Sequence, residues 1–310
     1  MYTELLPDAH ELEAARTVVA VPDGTLNTIP FGALVDRDGK YLVATKTIIN
    51  TPSATVLNLL RTRQSNGNRL PYLGVAAWTQ TQDKRSWAAR EITGPERSEL
   101  VPLPESEREI KDAAHLLPPP DKLLIAPEAT RTNFLRQPLA DYDVLHLSLH
   151  GYADMEFPDR SALMFLSVPK LNDSGFLRGR DIRQLHLNAR LVTLSACKTG
   201  LGPVDQTGVD AIVNAFIEAG AQTVVSSLRE VDDRPGRKLM DSFYRHLAAG
   251  DGRAEALRQA ELEFVNSGEP PYYWANFQIV GDAVEPLYPR RNLAVINTAG
   301  GNRKNHDDKN

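Results

Sequence analysis

What most constrains this chain is an alternation: short runs of β-branched and aliphatic residues are separated by segments of helical period, the pattern of a sheet covered by helices. The runs at 17–21, 41–50, 71–76, 122–125, 143–149, 162–166, 190–196, 222–228 and 273–280 read as strands. Helices are expected between them. The segment 53–63 opens on a Ser53 cap after Pro52, and 105–117 is charged and stopped by Pro118, Pro119 and Pro120. The segment 210–219 places Ala211, Ile212, Ala215, Phe216 and Ala219 on one stripe and ends at Gly220, while 234–249 and 253–267 follow as two amphipathic helices. The fold class is therefore α/β. A composition break near 120–130 divides an N-terminal half, 1–120, from a second half, 121–285, with room for one sheet to join them. Residues 286–310 read as a flexible tail, polar from Asn297 onward, and Thr79 to Pro104 reads as a disordered or functional loop, polar and longer than an ordinary connection.

Charge and cysteine content narrow the function classes. Lys and Arg total 35 against 40 Asp and Glu, for a net charge of −5 with no long block of one sign, which argues against a nucleic-acid partner. No apolar run approaches the ~20 residues that span a bilayer. Residues 1–20 lack the basic start and apolar core of a secretory signal, and Cys197 is the only cysteine, so no intramolecular disulfide forms. A soluble, cytoplasmic protein without membrane partners is expected.

Two of the strand runs end in reactive side chains. In 143–150, Leu145, Leu147 and Leu149 alternate with Val144, His146, Ser148 and His150, and the run breaks at Gly151. The run from Arg190 is apolar up to Cys197 and then breaks into the glycine-rich segment Lys198 to Gly202. Both side chains thus fall at the carboxyl edge of an α/β sheet, where such folds place ligands. A thiolate is the nucleophile of acyl transfer and needs a polar position beside a proton carrier. His150 and Cys197 on adjacent parallel strands, with a short crossover helix at 179–185, meet that need. A lone cysteine is also a common small core residue. His146 shares the parity of His150, but no third metal ligand stands at useful spacing, so His146 is expected in the core or supporting the site. His10, His115, His186 and His246 read as solvated. The glycines from Gly200 to Gly208 lack both the Walker ending and the dinucleotide spacing. No cofactor and no metal are expected.

The chain resembles a CHAT domain, the caspase-like domain often fused to tetratricopeptide repeats and grouped with caspases, separases and gingipains. The resemblance rests on His146-Leu-Ser-Leu-His150-Gly151, Leu194-Ser-Ala-Cys197-Lys-Thr-Gly200, Asn214-Ala-Phe-Ile-Glu-Ala-Gly-Ala221, Ser227-Leu-Arg-Glu-Val-Asp-Asp233, Met240-Asp-Ser-Phe-Tyr244 and Tyr272-Tyr-Trp-Ala-Asn-Phe277, in the family's order. Upstream, Val21-Pro-Asp-Gly24, Ile29-Pro-Phe31 and Thr51-Pro-Ser53 are similar to the family's N-terminal half, and the resemblance runs over about 1–285. The 47-residue step from His150 to Cys197 also resembles the caspase spacing. Arg229 stands where the family usually carries Trp, a departure that touches specificity.

The resemblance implies a caspase-like three-layer α/β/α sandwich with a mostly parallel central sheet, preceded by a pseudo-protease-like N-terminal half. It implies a cysteine endopeptidase acting on a protein substrate through a His150 and Cys197 dyad, with the backbone N–H groups of Gly151 and Cys197 as oxyanion donors. It further implies regulation by a tetratricopeptide-type domain or an activator protein, and a family-level association with bacterial defence. Asp233 is the first candidate for binding a basic P1 side chain, followed by Asp232, Asp154 and Ser195, with Glu156 and Asp159 nearby. Asp232 and Asp233 read equally well as caps of the helix from Arg234. The alternative of another class is a catalytically silent interaction module.

Overall fold

The computed structural model describes residues 5–6, 14–63, 70–79, 102–152, 154, 157–171, 173–195, 206–229 and 232–288. Eight strands build one sheet: β1 (Thr17–Ala20), β2 (Thr47–Asn50), β3 (Leu70–Ala76), β4 (Asp121–Ile125), β5 (Tyr142–Ser148), β9 (Leu191–Leu194), β10 (Thr223–Ser227) and β11 (Phe277–Gly281). Their order is β1-β2-β11-β10-β9-β5-β3-β4. Every neighbouring pair is parallel except β10 with β11, so β1, β2 and β11 run one way and the other five strands run the opposite way. Three short strands, β6 (His150–Tyr152), β7 (Ala162–Met164) and β8 (Phe176–Arg178), form a separate antiparallel sheet.

The helices are α1 (Leu42–Thr45), α2 (Ala54–Thr62), α3 (Pro104–Leu116), α4 (Arg131–Leu135), α5 (Gly179–Ile182), α6 (Gln206–Ala219), α7 (Asp233–Ala248), α8 (Arg253–Asn266) and α9 (Pro271–Trp274). Because successive strand residues face opposite sides, the central strands split their apolar residues between two cores. Leu73, Val75, Leu145, Leu147, Val192 and Leu194 join Ile212, Ala215 and Phe216 of α6 and the three-stranded sheet in one core. Tyr72, Val144, Leu191 and Val225 join Leu239 and Phe243 of α7, Leu257 of α8 and Ala113 of α3 in the other. The result is the expected three-layer sandwich, with the 1–120 strands β1, β2 and β3 and the later strands sharing one sheet. The Ser53 hydroxyl caps α2 by accepting from the Val56 N–H at 3.1 Å. The α6 stripe expected from Ala211 to Ala219 is buried.

Three local expectations are corrected. The run 41–50 is not one strand: Leu42–Thr45 forms a single helical turn, with Leu42 and Val43 buried, before β2 begins. The run 273–280 likewise starts as helix, because Pro271 occupies the first turn of α9, where its missing N–H costs nothing, and extended pairing waits until Phe277. Finally, Gly151 does not end a strand: β5 stops at Ser148, and after Leu149 the chain pairs with β7 as β6, which takes in both His150 and Gly151. Most of Thr79 to Pro104, and the tail from Asn297, lie outside the described residues.

Candidate active site at the carboxyl ends of the central strands

The central strands converge on one edge. Leu147 of β5 stands opposite Leu194 of β9, and the Ser195 N–H donates to the Leu147 carbonyl at 3.3 Å, so the pair stays in register to its last residues. Two residues beyond Ser148 comes His150; two beyond Ser195 comes Cys197, which lies outside the described residues together with the glycine-rich segment that follows it. On its other side β5 pairs with β3, while β4 continues outward from β3. The chain thus leaves β3 toward β4 and β5 toward β9, which makes the β3–β5 junction a topological switch point, the kind of place where open α/β sheets hold ligands.

His150 is 1 % exposed, and its ring packs on Trp78, the second residue after β3, with centroids 5.3 Å apart at 60°. Trp78 is itself fixed by its indole N–H, which donates to the Met164 carbonyl at 2.6 Å, and Met164 is the β7 residue opposite His150. The indole therefore locks both the ring and the backbone that carries it. Gly151 follows in β6, opposite Leu163.

The other expected site residues fall in four places. Asp233 begins α7, and its carboxylate accepts the Glu105 N–H at 3.0 Å, thereby capping α3 across the helix pair. Asp232 is exposed at the N-cap of α7 and makes no side-chain capping bond. Asp154 accepts the Phe157 N–H at 2.8 Å, closing a local turn, and Asp159 pairs with Arg183 at 2.6 Å. The Ser195 hydroxyl is turned toward Glu109 and lies 3.4 Å from the Ser148 hydroxyl. Glu156 lies outside the described residues. His115 and His186 are exposed as expected, whereas His246 is half-buried and pairs with Asp251 at 3.0 Å. Among the described residues no three His, Cys, Asp or Glu side chains form a group that could hold a metal ion.

Behind the edge lies a polar cluster that sequence reasoning missed apart from His146. His146 is fully buried, 2.8 Å from the Tyr72 hydroxyl through Nδ1 and 2.8 Å from Glu109 Oε1 through Nε2. Tyr244 stacks on the imidazole at 5.1 Å and bonds Thr193 Oγ1 at 2.9 Å. Burial raises both tyrosine hydroxyls well above the ordinary range, so each stays a neutral O–H. One signal for Glu109 exists in the sequence: it falls on the stripe shared by Ser106, Ile110 and Ala113, the buried face of an otherwise charged helix. Trp78 had none, because it follows β3 at the entrance of the loop.

These features define a caspase-like α/β/α sandwich that carries a buried histidine just beyond the carboxyl end of a central strand, beside its switch point. A CHAT domain family model matches residues 1–282, and the chain belongs to the CHAT domain family. It is 31% identical over 112 residues to Tetratricopeptide repeat protein 28 of Mus musculus and 32% identical over 112 residues to that of Homo sapiens. Each alignment takes in 35% of this chain but spans only 4% of the relative. Among solved structures, the Saccharomyces cerevisiae separase–securin complex matches at TM-score 0.51 and 14% identity, covering 84% of this chain and 15% of that one. The Arg specific cysteine proteinase gingipain R matches at TM-score 0.52 and 12% identity, covering 82% and 58%. At such identities the likeness is one of fold. No helix among the described residues is long and apolar enough to cross a membrane.

Proposed function

We propose that this chain is a cysteine endopeptidase that hydrolyses specific peptide bonds of a protein substrate, with His150 and Cys197 as its dyad. The observation that carries the reading is the register of β5 and β9, held through Ser195 and Leu147, which delivers the two chain segments leading to His150 and Cys197 to one edge. In the reaction the Cys197 sulfur attacks the scissile carbonyl, and His150 carries the thiol proton to the leaving amine. The acyl-enzyme is then hydrolysed by water that His150 deprotonates. Charge on the carbonyl oxygen is met by the backbone N–H groups of Gly151 and Cys197. Trp78 keeps the imidazole in one orientation throughout, which favours a reactive geometry over a wandering ring.

A basic P1 residue suits the acidic end of β10. With the Asp233 carboxylate engaged by α3, exposed Asp232 is the acid we assign to the incoming Arg or Lys. The repeat-containing relatives and the separase–securin neighbour support regulation by a repeat domain or partner protein. A catalytic thiol also has to remain reduced, which fits a cytoplasmic setting.

Digestion of a diverse peptide library by the wild type and by Cys197→Ala, read by mass spectrometry, tests the proposal. Cuts after Arg or Lys are expected, reduced at least about a thousandfold in Cys197→Ala and weakened selectively in Asp232→Ala. Undiminished cutting by Cys197→Ala overturns the mechanism. A wild type that cuts nothing, alone or with repeat proteins encoded beside it, overturns the peptidase reading in favour of an interaction module.

A further inference from the structure

The cluster behind the active-site edge is costly to build. Tyr72 from β3, Glu109 from α3, His146 and Ser148 from β5 and Ser195 after β9 converge between packed layers, and Tyr72, Glu109, His146 and Ser148 are all buried. Polar groups withdrawn from water in this way cost stability unless each finds a partner, and apolar side chains of similar size would fill the space at less cost. Here the partners form a continuous line. The Tyr72 hydroxyl meets His146 Nδ1, His146 Nε2 meets Glu109 Oε1, and the same Glu109 oxygen accepts the Ser195 hydroxyl, with the Ser148 hydroxyl 3.4 Å beyond. The Tyr72 hydroxyl also donates to the Ile110 carbonyl of α3 at 3.2 Å, so it bridges His146 to the helix that carries Glu109. Each group in the line thereby fixes the next. The line starts in the middle of the sheet and ends on the last described residue of the β9 segment.

We infer that Glu109, oriented by His146 and Tyr72, is a positioning residue that acts through the Ser195 hydroxyl to set where the chain leaves β9 toward Cys197. The inference rests on the proposed dyad. It also ties the edge to α3, which is joined to α7 at its N-terminus by the Asp233 carboxylate and along its length by Arg237, 2.9 Å from both Glu105 and Asp112. A helix held to α7 on both sides of Glu109 and bonded through Glu109 to Ser195 transmits its position to the edge.

The test uses the full chain and two readouts: the alkylation rate of its single cysteine by iodoacetamide, and kcat and KM on a peptide cut by the wild type. Ser195→Ala and Glu109→Gln are expected to slow alkylation and to lower kcat by about 10- to 100-fold, with KM within about threefold. Ser195→Thr, which keeps the hydroxyl, is expected to recover most of the loss. Ser195→Ala leaves the Glu109–His146 pair intact, so it decides the matter where Glu109→Gln fails to fold. Alkylation and kcat both within twofold of wild type in Ser195→Ala overturn the inference, as does a loss that Ser195→Thr does not recover. The alkylation rate requires no peptide. An inactive wild type therefore counts against the peptidase reading alone, and the positioning claim is then decided by the thiol rates.

Discussion

Glu261 of α8 is a carboxyl with nowhere favourable to put its charge. It is 8% exposed and faces Gly32, with Oε2 3.8 Å from where a side chain on that glycine would begin. Burial raises its pKa well above the carboxylate range, and the nearby Arg258 guanidinium only partly opposes the shift. The folded state therefore holds this proton more tightly than the unfolded chain does. The native state bears no penalty from this group below the unfolded value of about 4.3 and loses stability as pH rises from there toward the folded value. Glu261→Gln should thus raise the thermal midpoint at pH 8, by about 2–4 °C for each kcal/mol relieved, and change it little at pH 4. Equal shifts at both pH values in a melting series would contradict this. At this same scale, the edge position of His150 was legible because it closes an apolar run and precedes a glycine, the same pattern on which Cys197 is proposed. Glu109 was not, since its helix reads as charged and its partner Ser195 stands 86 residues away. Asp233 illustrates a third case: capping was weighed for its own helix, but the helix that it caps is the other one.

At the level of elements, helix ends carry the tightest demands. Gly220 closes α6 at φ +122°, a conformation that favours glycine, and a Cβ there would run into the Leu187 carbonyl. Gly220→Ala is therefore expected to destabilise the fold by about 1–3 kcal/mol or more, measured by urea denaturation, with an unchanged slope; a stability within 0.5 kcal/mol of wild type, roughly the scatter of neutral surface changes, would contradict the steric account. This glycine was legible as a helix stop because it follows a clear apolar stripe. The misread runs share a cause: in 41–50 and 273–280 a short helical turn carries the same apolar and aromatic residues as the strand beside it, and a window of four residues has no period to read. The proline pair Pro270 and Pro271 was the available signal for α9. The division of 143–152 into β5 and β6 had no such marker, because apolar alternation runs unbroken across Leu149 and only pairing with β7 reveals the change of sheet.

At the scale of the whole molecule, the strand inventory came from local sequence but the order β1-β2-β11-β10-β9-β5-β3-β4 did not. Neighbours such as β2 and β11 are separated by most of the chain, and no local pattern encodes which parallel strands meet. The α/β class and the CHAT family were legible, the first from periodicity and the second from ordered motifs; the match over 1–282 bears this out. What unites fold and function is the edge where β3, β5 and β9 end together: Trp78 holds His150 there, and the Tyr72–His146–Glu109 line reaches the same edge at Ser195. The central claim is that His150 and Cys197 form a working dyad. It is tested most directly by the pH dependence of alkylation of the single thiol in the wild type and in His150→Ala. A dyad predicts a wild-type inflection below about 7.5 that returns to the free-cysteine range near 8.5 in His150→Ala. Superimposable profiles with a common inflection near 8.5 would contradict it.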